Sequence, residues 1–331
     1  MDIDIVILWV DGSDPAWQAQ KRNHLPPASY DSDSPNRYRD WGLLPCWFRS
    51  VERFVPWVRT IHFVTWGHIP AFLNPDTPKL HIVRHQDFIP KEYLPTFSSH
   101  TIELNLHRIP GLSEHFIYFN DDMFLLQEMQ PSDFFRNGLP CTDGSEVPWQ
   151  FHGTVGIWEH AAANDLGIIN RHFPKKDALR KYGRKFRSSR WKDALRTLCL
   201  QVLFPDAFTG FRNLHAPAAY RKETYWEVWQ AEPELLHRTC LDKFRGYGNV
   251  NQWVFLWWQV ASGQFSPIQV DNLVECISDT TIDSLCNCIE GQQHSMLCLN
   301  DPEEEVDFTI LSARLQRAFE TILPDKSAFE L

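Results

Sequence analysis

The chain has 331 residues, a length that accommodates one large or two small domains. Hydrophobic residues make up 43% and charged residues 22%, as is ordinary for a globular protein, and aromatic residues are abundant at 14%. The net charge of −10 argues against a general nucleic-acid-binding protein. The acidic N-terminus has no basic leader region, and no apolar run approaches the roughly 20 residues of a membrane span. We therefore expect a cytoplasmic protein, or a domain of a larger one, without a nucleic-acid partner.

The first predicted element is a buried strand at residues 3–10, because the sequence there is almost continuously apolar. It leads into an acidic turn at residues 11–15, in which Gly12 stands where the backbone must bend or approach a ligand. Such a turn after the first strand of an α/β domain commonly holds a nucleotide, although Asp-Gly is also the commonest turn chemistry. Asp11 and Gly12 are therefore candidate substrate-binding residues.

Alternating helices and strands follow a polar loop at residues 22–37. An amphipathic helix runs from Leu43 until Pro56 stops it, and apolar strands follow at residues 61–65 and 80–83. The order of strand, helix, strand, strand, helix and strand predicts an α/β fold with a mostly parallel sheet flanked by helices.

The second helix begins near Ser98. It places Glu103 and His107 one turn apart, with Arg108 beside them, so the three could share one face. A surface pair of Glu and His explains this spacing as well as a ligand site does.

The next strand, residues 116–119, ends in the acidic turn Asn120-Asp121-Asp122. Two adjacent carboxylates at the end of a buried strand repel each other and lose water, so they need a cation to be tolerated. In open α/β sheets, ligands bind at the carboxyl ends of the strands. Carboxylate ligands suit Mg²⁺ or Mn²⁺, and such a metal usually carries substrate phosphates. We predict this site at Asp121 and Asp122, while noting that Asn and Asp also favour plain turns.

Residues 171–196 contain eleven Lys or Arg and only two Asp. Apolar residues keep helical spacing along this segment, so we expect two helices with the apolar side inward and the basic side outward. The apolar positions are Leu179, Tyr182, Phe186, Trp191, Leu195, Leu198 and Val202. We interpret residues 160–210 as a basic helical insertion within a single catalytic domain spanning 1–331. The excess of cations indicates an anionic partner, either membrane headgroups at the inner face of the cell membrane or a polyanionic product, unless it is only a solvated face.

Two later stretches carry further candidates. His215 lies between apolar residues beside prolines, a setting more typical of a hydrogen-bonded core histidine than of a catalyst. Arg221 is close by, and a guanidinium can grip a phosphate at two points. Arg245, Asn249 and Asn251 form a polar turn before an aromatic helix, which they could cap or use to bind a ligand.

The C-terminal region offers a helix start and a cysteine cluster. Asp301, Pro302 and Glu304 have the pattern of an N-cap, a proline at the first helical position and an acid at the third, before an apolar face from Phe308 to Ile322. The cluster has a symmetric spacing without a C-x-x-C pair, so ordinary buried thiols are favoured over zinc or a disulfide. It comprises Cys276, Cys286, Cys288 and Cys298.

Five of these stretches, in order, resemble the conserved blocks of the Stealth family of sugar-1-phosphate transferases. They lie at residues 4–14, 38–122, 215–222, 244–255 and 298–301, and the last three residues also match. The family includes bacterial capsule and cell-wall polysaccharide phosphotransferases and the animal lysosomal-enzyme N-acetylglucosamine-1-phosphotransferase. Asp11 stands where the animal relatives have Asn, and the extra domains that select protein substrates are missing. The resemblance therefore points to a bacterial enzyme acting on a glycan.

The resemblance implies a fold similar to the metal-dependent nucleotide-sugar (GT-A-like) transferases. It further implies transfer of a hexose- or N-acetylhexosamine-1-phosphate from a nucleotide sugar, first of all a UDP sugar, to a glycan hydroxyl in capsule, exopolysaccharide or cell-wall synthesis. The product would be a phosphodiester and the leaving group UMP.

The same resemblance, combined with the chemistry above, assigns roles to residues. His215 is the first choice of general base, with Asp122 as its rival, and Arg245 would stabilise phosphoryl charge. Asp121, Asp122 and Asp301 would hold Mg²⁺ or Mn²⁺. The expected substrate-binding residues are Asp11, Gly12, Arg39, Asp40, Glu103, His107, Arg108, Arg221, Asn249, Asn251 and Asn300.

Two alternative functions stay open at this point. An ordinary metal-dependent glycosyltransferase would attack the sugar carbon and release UDP, and the acidic turn would serve it equally well. A non-catalytic, aromatic-rich carbohydrate-binding protein would release no nucleotide at all. The identity of the nucleotide product separates the three functions.

Overall fold

The computed structural model describes residues 1–25, 40–150, 155–188, 190–302 and 306–331. These residues form eleven strands and thirteen α-helices, together with 3-10 turns at Lys91–Tyr93, Leu106–Arg108 and Gly183–Phe186. The strands are β1 (Ile3–Leu8), β2 (Ile61–Thr65), β3 (Leu80–Arg84), β4 (His115–Phe119), β5 (Met123–Leu125), β6 (Phe135–Arg136), β7 (Leu139–Thr142), β8 (Ala218–Arg221), β9 (Ser266–Pro267), β10 (Asn272–Cys276) and β11 (Met296–Asn300). The helices are α1 (Pro15–Arg22), α2 (Leu44–Phe54), α3 (His85–Phe88), α4 (Ser99–Leu104), α5 (Pro131–Phe134), α6 (Ile157–His172), α7 (Lys175–Tyr182), α8 (Trp191–Leu203), α9 (Lys222–Ala231), α10 (Pro233–Leu241), α11 (Trp253–Ala261), α12 (Ile282–Glu290) and α13 (Phe308–Ile322).

A five-stranded sheet in the order β3-β2-β1-β4-β8 forms the centre of the molecule. The first four strands are parallel, and β8 pairs antiparallel with β4 at the edge. A second sheet, β10-β11-β5, has β10 parallel and β5 antiparallel to β11. The predicted α/β class with a mostly parallel sheet and flanking helices is confirmed.

The central sheet is buried on both faces, as the continuous apolar runs of its strands predict. Ile5 and Ile7 of β1 belong to one core, with residues of α2, α12 and α13. Val6 of the same strand belongs to a second core, with residues of α9 and α11. Successive side chains of a strand point to opposite faces, so one strand supplies both layers.

The C-terminal helix starts later than the sequence pattern indicates. Asp307 caps α13, because its Oδ1 accepts the backbone N–H of Ile310 at 3.1 Å. Asp301 instead accepts the indole N–H of Trp41 at 2.6 Å, so the prediction that Asp301 caps the helix is wrong. The predicted apolar face is confirmed at the buried residues Leu311, Leu315, Phe319 and Ile322.

The basic segment is helical, but α8 is turned the opposite way from the prediction. Its buried positions are Asp193, Thr197 and Leu200, and the apolar residues predicted to face inward lie on the surface. The reason is that the inner face meets polar partners. Asp193 pairs with Arg212 at 2.7 Å, and the hydroxyl of Thr197 accepts the backbone N–H of Glu146 at 3.2 Å. Among the described residues, no helix combines the length and the apolar character needed to span a membrane.

All eight cysteines are free thiols. Cys286, Cys288 and Cys298 are buried, and Cys276 is exposed. Within the described part of the chain, only Cys298 of these four joins a group of side chains that could share a metal ion. No disulfide therefore links the cluster.

Candidate active site

Two cavities meet at the acidic turn between β4 and β5. The larger has a volume of about 480 Å³ and the smaller about 170 Å³. Asn120 lines the larger cavity, whereas Asp121 and Asp122 line the smaller one. Both cavities lie beyond the carboxyl ends of the parallel strands, the position at which open α/β sheets bind ligands.

The smaller cavity gathers four carboxylates from separate parts of the chain, namely Asp40, Asp121, Asp122 and Asp301. No lysine or arginine lines it among the described residues. The pKa of Asp121 is raised to about 7, first by loss of hydration and then by the charges of the neighbouring carboxylates. One side of the residue remains open toward the cavity. Uncompensated carboxylates are costly, and their oxygens are the ligands that Mg²⁺ and Mn²⁺ prefer. The residues present therefore fit such a cation.

Asp122 lines the smaller cavity beside Asp121. Its Oδ1 is buried and accepts no hydrogen bond within the described ranges. The Cys298 thiol is adjacent. Its pKa is raised mainly by burial and further by the charge of the Asp122 carboxylate. A buried oxygen that nothing satisfies is a further sign that this carboxylate serves a ligand.

His215 lies at the wall of the larger cavity rather than in a core. Because β8 is antiparallel to β4, the chain enters β8 at the edge where β4 ends, and this brings His215 to the acidic turn. Its Nε2 lies 3.7 Å from Oδ2 of Asp122, and its side chain is 33% exposed. Its backbone is left-handed, with φ of +40°, a conformation that is uncommon outside glycine and that clusters at functional sites.

Two asparagines hold His215 in this conformation. Oδ1 of Asn213 accepts the N–H of His215 at 3.0 Å, which closes a local turn. Nδ2 of Asn272 donates to the carbonyl oxygens of Leu214 and His215 at 2.7 and 3.3 Å. The imidazole is therefore positioned by bonds to the backbone on both sides of it.

Arg245 and Glu103 both line the larger cavity, and Arg245 contacts the helix α4 that carries Glu103. The guanidinium of Arg245 donates to Oγ of Ser99 at 2.7 Å. Glu103 is buried and accepts the backbone N–H of Gln252 at 3.3 Å. Burial raises the pKa of Glu103, and the charge of Arg245 opposes that rise.

A buried tyrosine connects Glu103 to the acidic turn. The hydroxyl of Tyr118 lies 2.6 Å from Oδ1 of Asn120 and 3.4 Å from Oε1 of Glu103. Since a hydroxyl has one proton, the shorter contact is its hydrogen bond. Tyr118 therefore helps to position the acidic turn through its hydrogen bond to Asn120.

The structure brings most of the predicted site residues together. His215, Glu103, Arg245, Asn251 and Asn300 line the larger cavity, and Asp40, Asp121, Asp122 and Asp301 line the smaller one. Asp11 and Gly12 follow directly after Val10, which lines the smaller cavity, but they do not line it themselves. The N–H of Asp11 donates to Nε2 of His68 at 2.8 Å. Arg39 lies outside the described residues.

His107 and Arg108 lie away from both cavities. Helix α4 ends at Leu104, and the 3-10 turn that follows breaks the one-turn spacing on which the shared face with Glu103 depends. The ring of His107 packs at 4.3 Å against Trp226, and burial lowers its pKa to about 3. The guanidinium of Arg108 also lies over the Trp226 ring, at 5.4 Å. These positions correct the predicted placement in the donor pocket.

Arg221 and Asn249 are also outside the cavities. In the strand register of β8 and β4, Arg221 lies opposite His115, at the amino end of β4 and away from the acidic turn. Its guanidinium contacts Glu223 and Gln264. Asn249 is buried and holds its own loop by donating to Asp242 at 2.7 Å. The predicted phosphate role of Arg221 is therefore reassigned to a structural one.

Several residues of the larger cavity are not among the predicted site residues. They are Trp158, Asn213, Gln252, Trp253 and Ser99. Asn213 lies two residues before His215, and this proximity was an available signal. Trp158 has no local sequence signal, and it reaches the cavity from the first turn of α6.

Comparisons with known proteins identify relatives of this chain. The model described as "Stealth protein CR1, conserved region 1" matches residues 1–23, and "Stealth protein CR2, conserved region 2" matches residues 37–142. The capsular polysaccharide phosphotransferase WcwK of Streptococcus pneumoniae is 36% identical over 99% of both chains. The chain belongs to the Stealth family. The predicted family membership is therefore confirmed.

Other relatives of this Stealth protein have similar names. The receptor polysaccharide phosphotransferase WefC of Streptococcus gordonii is 36% identical over 99% of both chains. An exopolysaccharide phosphotransferase of Lactiplantibacillus plantarum is 34% identical over 99% of this chain and 96% of its own. Among solved structures, the apo form of the glycosyltransferase GlyE of Streptococcus pneumoniae is 11% identical, covers 99% of this chain and 80% of its own, and has a TM-score of 0.22. That similarity is too low to carry an argument, so the GT-A-like fold stays a prediction.

Proposed function

We propose that this Stealth protein is a phosphotransferase of capsule, exopolysaccharide or cell-wall glycan synthesis. It moves a hexose- or N-acetylhexosamine-1-phosphate from a nucleotide sugar, UDP-linked in the first instance, to a hydroxyl of a glycan. The observation that carries the proposal is the position of His215 beside Asp122, where a carboxylate-lined cavity meets a larger one. The phosphotransferase names of full-length relatives support the same reaction class.

The smaller cavity is suited to the diphosphate end of the donor. Asp121, Asp122 and Asp301 would hold Mg²⁺ or Mn²⁺ there, with Asp40 lining the same cavity. When bound, such a cation neutralises charge on the phosphate oxygens. Asp121 and Asp122 are consecutive residues of one turn, so their carboxylates are fixed relative to the ends of both β4 and β5.

The larger cavity is suited to the glycan acceptor. Its volume of about 480 Å³ is that of a typical small-ligand site. Trp158 and Trp253 offer aromatic faces on which sugar rings can pack, and Asn120, Asn213 and Asn251 offer amide groups for hydroxyls. This combination of aromatic and amide side chains suits an uncharged polyhydroxyl ligand.

The transfer step uses groups on both sides of the acidic turn. The acceptor oxygen forms a bond to the phosphorus next to the sugar, and the bond from that phosphorus to the bridging oxygen breaks, so UMP leaves. Nε2 of His215 takes the proton of the acceptor hydroxyl, and the Asp122 carboxylate at 3.7 Å stabilises the imidazolium that forms. Arg245, anchored by Ser99, stabilises charge on the transferring phosphoryl group.

We place the reaction in the cytoplasm. All eight cysteines are free thiols, including the exposed Cys199 and Cys276. Free thiols persist in reducing compartments, which supports this location.

The nucleotide product tests the proposal. UDP-, GDP- and CDP-sugars are incubated with Mg²⁺ or Mn²⁺ and glycan acceptors, and the released nucleotide is identified by chromatography. UMP, or the corresponding monophosphate, is expected, and it should be lost in the Asp122→Asn variant. Release of UDP would instead identify a glycosyltransferase. Glycan binding without any nucleotide product, unchanged by Asp122→Asn, would identify a carbohydrate-binding protein.

A further inference from the structure

Helix α8 presents an apolar stripe to the outside of the protein. Trp191, Leu195, Leu198 and Val202 follow one another at intervals of three or four residues, so they lie on one side of the helix. Their exposures are 71%, 54%, 57% and 70%, and the stripe continues into Leu203 and Phe204. Single exposed apolar side chains are common, but a continuous group of this kind marks an interaction surface.

The stripe cannot turn inward, because polar contacts fix the opposite side of α8. Asp193 pairs with Arg212 at 2.7 Å, and the Thr197 hydroxyl accepts the Glu146 N–H. At the C-terminal end of the helix, the wholly buried ammonium of Lys175 donates to the carbonyl oxygens of Leu200 and Phe204 at 3.1 and 2.8 Å. These contacts therefore keep the apolar stripe of α8 on the outside of the folded protein.

Cations accompany the stripe at the N-terminal end of the same helix. Arg187, Arg190 and Lys192 are exposed, and so is Arg184 in the 3-10 turn just before them. Within the described ranges, no carboxylate pairs with Arg184, Arg187 or Lys192. Other cations of the basic segment are occupied. Lys176 pairs with Asp206 and Arg180 with Asp177, while Lys175 and Lys185 donate to internal acceptors.

We propose that α8 docks on an anionic lipid membrane, with its axis in the membrane plane. The apolar stripe enters the boundary between headgroups and acyl chains, Trp191 lies at the interface, and the adjacent cations contact anionic headgroups. This surface is distinct from both cavities, and the proposal does not depend on the reaction that they perform.

The chemistry of the surface favours a membrane over a polyanionic polymer or a second copy of the chain. A polyanionic polymer would pair with the cations, but it would leave six large apolar side chains in water. A second copy of the chain would cover the stripe, but the exposed face of α8 carries no carboxylate that could pair with the cations, because Asp193 is buried and already paired. A lipid surface satisfies the apolar and the cationic parts together.

Docking would also orient the candidate active site. Arg212, the partner of Asp193 on the inner side of α8, lies three residues before His215. The helix is thus joined directly to the segment that forms one wall of the larger cavity. A glycan held at the membrane surface would meet that cavity at a fixed orientation.

Flotation with lipid vesicles tests the proposal. The full chain is mixed with vesicles of phosphatidylcholine, with or without phosphatidylglycerol, and the bound fraction is measured. We expect binding only with phosphatidylglycerol, weakened by salt. The triple variant Leu195→Gln, Leu198→Gln, Val202→Gln should lower the partition coefficient about tenfold or more. Arg187→Gln with Lys192→Gln should lower it as well. All these side chains are exposed, so the variants should melt as the unmodified protein does.

Ile310→Gln is the matched control, because Ile310 is 57% exposed on α13, away from the basic segment. It should bind vesicles as the unmodified protein does. Undiminished binding by the triple variant would overturn the proposal. So would retention on a heparin column without vesicle binding, which would identify a polymer site. A dimer in light scattering that the triple variant converts to a monomer, again without vesicle binding, would identify a self-association surface.

Discussion

Nε2 of His215, on the wall of the larger cavity, lies 3.7 Å from Oδ2 of Asp122, on the wall of the smaller one. The contact is too long for a direct hydrogen bond, so the imidazole nitrogen remains available to a substrate hydroxyl between the cavities. The carboxylate is still close enough to interact with an imidazolium formed during proton transfer.

Replacing His215 should therefore remove proton transfer while leaving the donor in place. We expect His215→Ala to lower kcat by about 100- to 10,000-fold with little change in donor affinity, measured by calorimetry. His237→Gln is the control, because His237 is exposed on α10 and contacts Tyr93 rather than either cavity. If His215→Ala turned over at the normal rate, the base would be Asp122 or a water molecule.

The two arginines once expected to serve the phosphate should behave differently. Arg245 lines the larger cavity, so Arg245→Gln should lower kcat/KM by about 100- to 1,000-fold. Arg221→Gln should leave kcat/KM nearly unchanged, since Arg221 is at the opposite end of β4 and contacts Glu223 and Gln264. Steady-state kinetics of the two variants measure this difference. Equal losses in both would place Arg221 in the reaction after all.

Cation binding should depend on pH through Asp121. Its pKa is raised to about 7, so a proton competes with the cation below that pH, and the affinity for Mg²⁺ should fall as pH falls through about 7. Protonation of Asp121 also makes the stability of the metal-free protein depend on pH. The folded protein holds this proton more tightly than the unfolded chain does, so without metal the contribution of Asp121 to stability decreases as pH rises from about 4 to about 7.

Thermal denaturation with and without Mg²⁺ measures both effects. The rise in Tm on adding Mg²⁺ should be larger at about pH 8 than at about pH 5.5. Asp121→Asn should abolish most of this difference, whereas Asp76→Asn, on an exposed turn, should retain it. A stabilisation by Mg²⁺ that did not change with pH would argue against Asp121 as a ligand.

Two neighbouring lysines offer a paired test of stability. Lys175 is wholly buried and donates to Glu146 at 2.7 Å, so Lys175→Met leaves a buried charge without its partner. We expect a loss of about 3–5 kcal/mol in the free energy of unfolding. Lys176→Met should cost no more than about 1 kcal/mol, because Lys176 pairs with Asp206 in water. Urea denaturation of both variants measures the two free energies of unfolding. Similar losses would show that Lys175 does not stabilise the fold more than Lys176 does.

Patterns within one element predicted much of the fold. The continuous apolar runs of β1 and β4 were sufficient to identify strands buried on both faces, and apolar spacing identified the inner face of α13. The same spacing identified a stripe on α8 but not its direction, because direction depends on Arg212 and Glu146 from distant parts of the chain. The start of α13 was misplaced because the favourable local pattern at Asp301 does not include its tertiary contact with Trp41.

The candidate site was predictable only in part for the same reason. Asp121 and Asp122 stand out because adjacent carboxylates after an apolar strand are costly. The contact between His215 and Asp122 depends on the antiparallel pairing of β8 with β4, which no local pattern contains. The family resemblance identified both residues as candidate bases but not their contact. His107 was misplaced because a 3-10 turn interrupts the helix that its spacing with Glu103 assumes.

The acidic turn also has a mechanical role, because it is the link between two sheets. β4 belongs to the central sheet and β5 to the second sheet, and Asp301 follows β11 of that second sheet. A cation shared by Asp121, Asp122 and Asp301 would fasten the two sheets together, much as a crosslink does. Loss of the metal should then loosen the packing of the C-terminal half against the rest of the protein. Substrate occupancy and the rigidity of the whole molecule would rise and fall together.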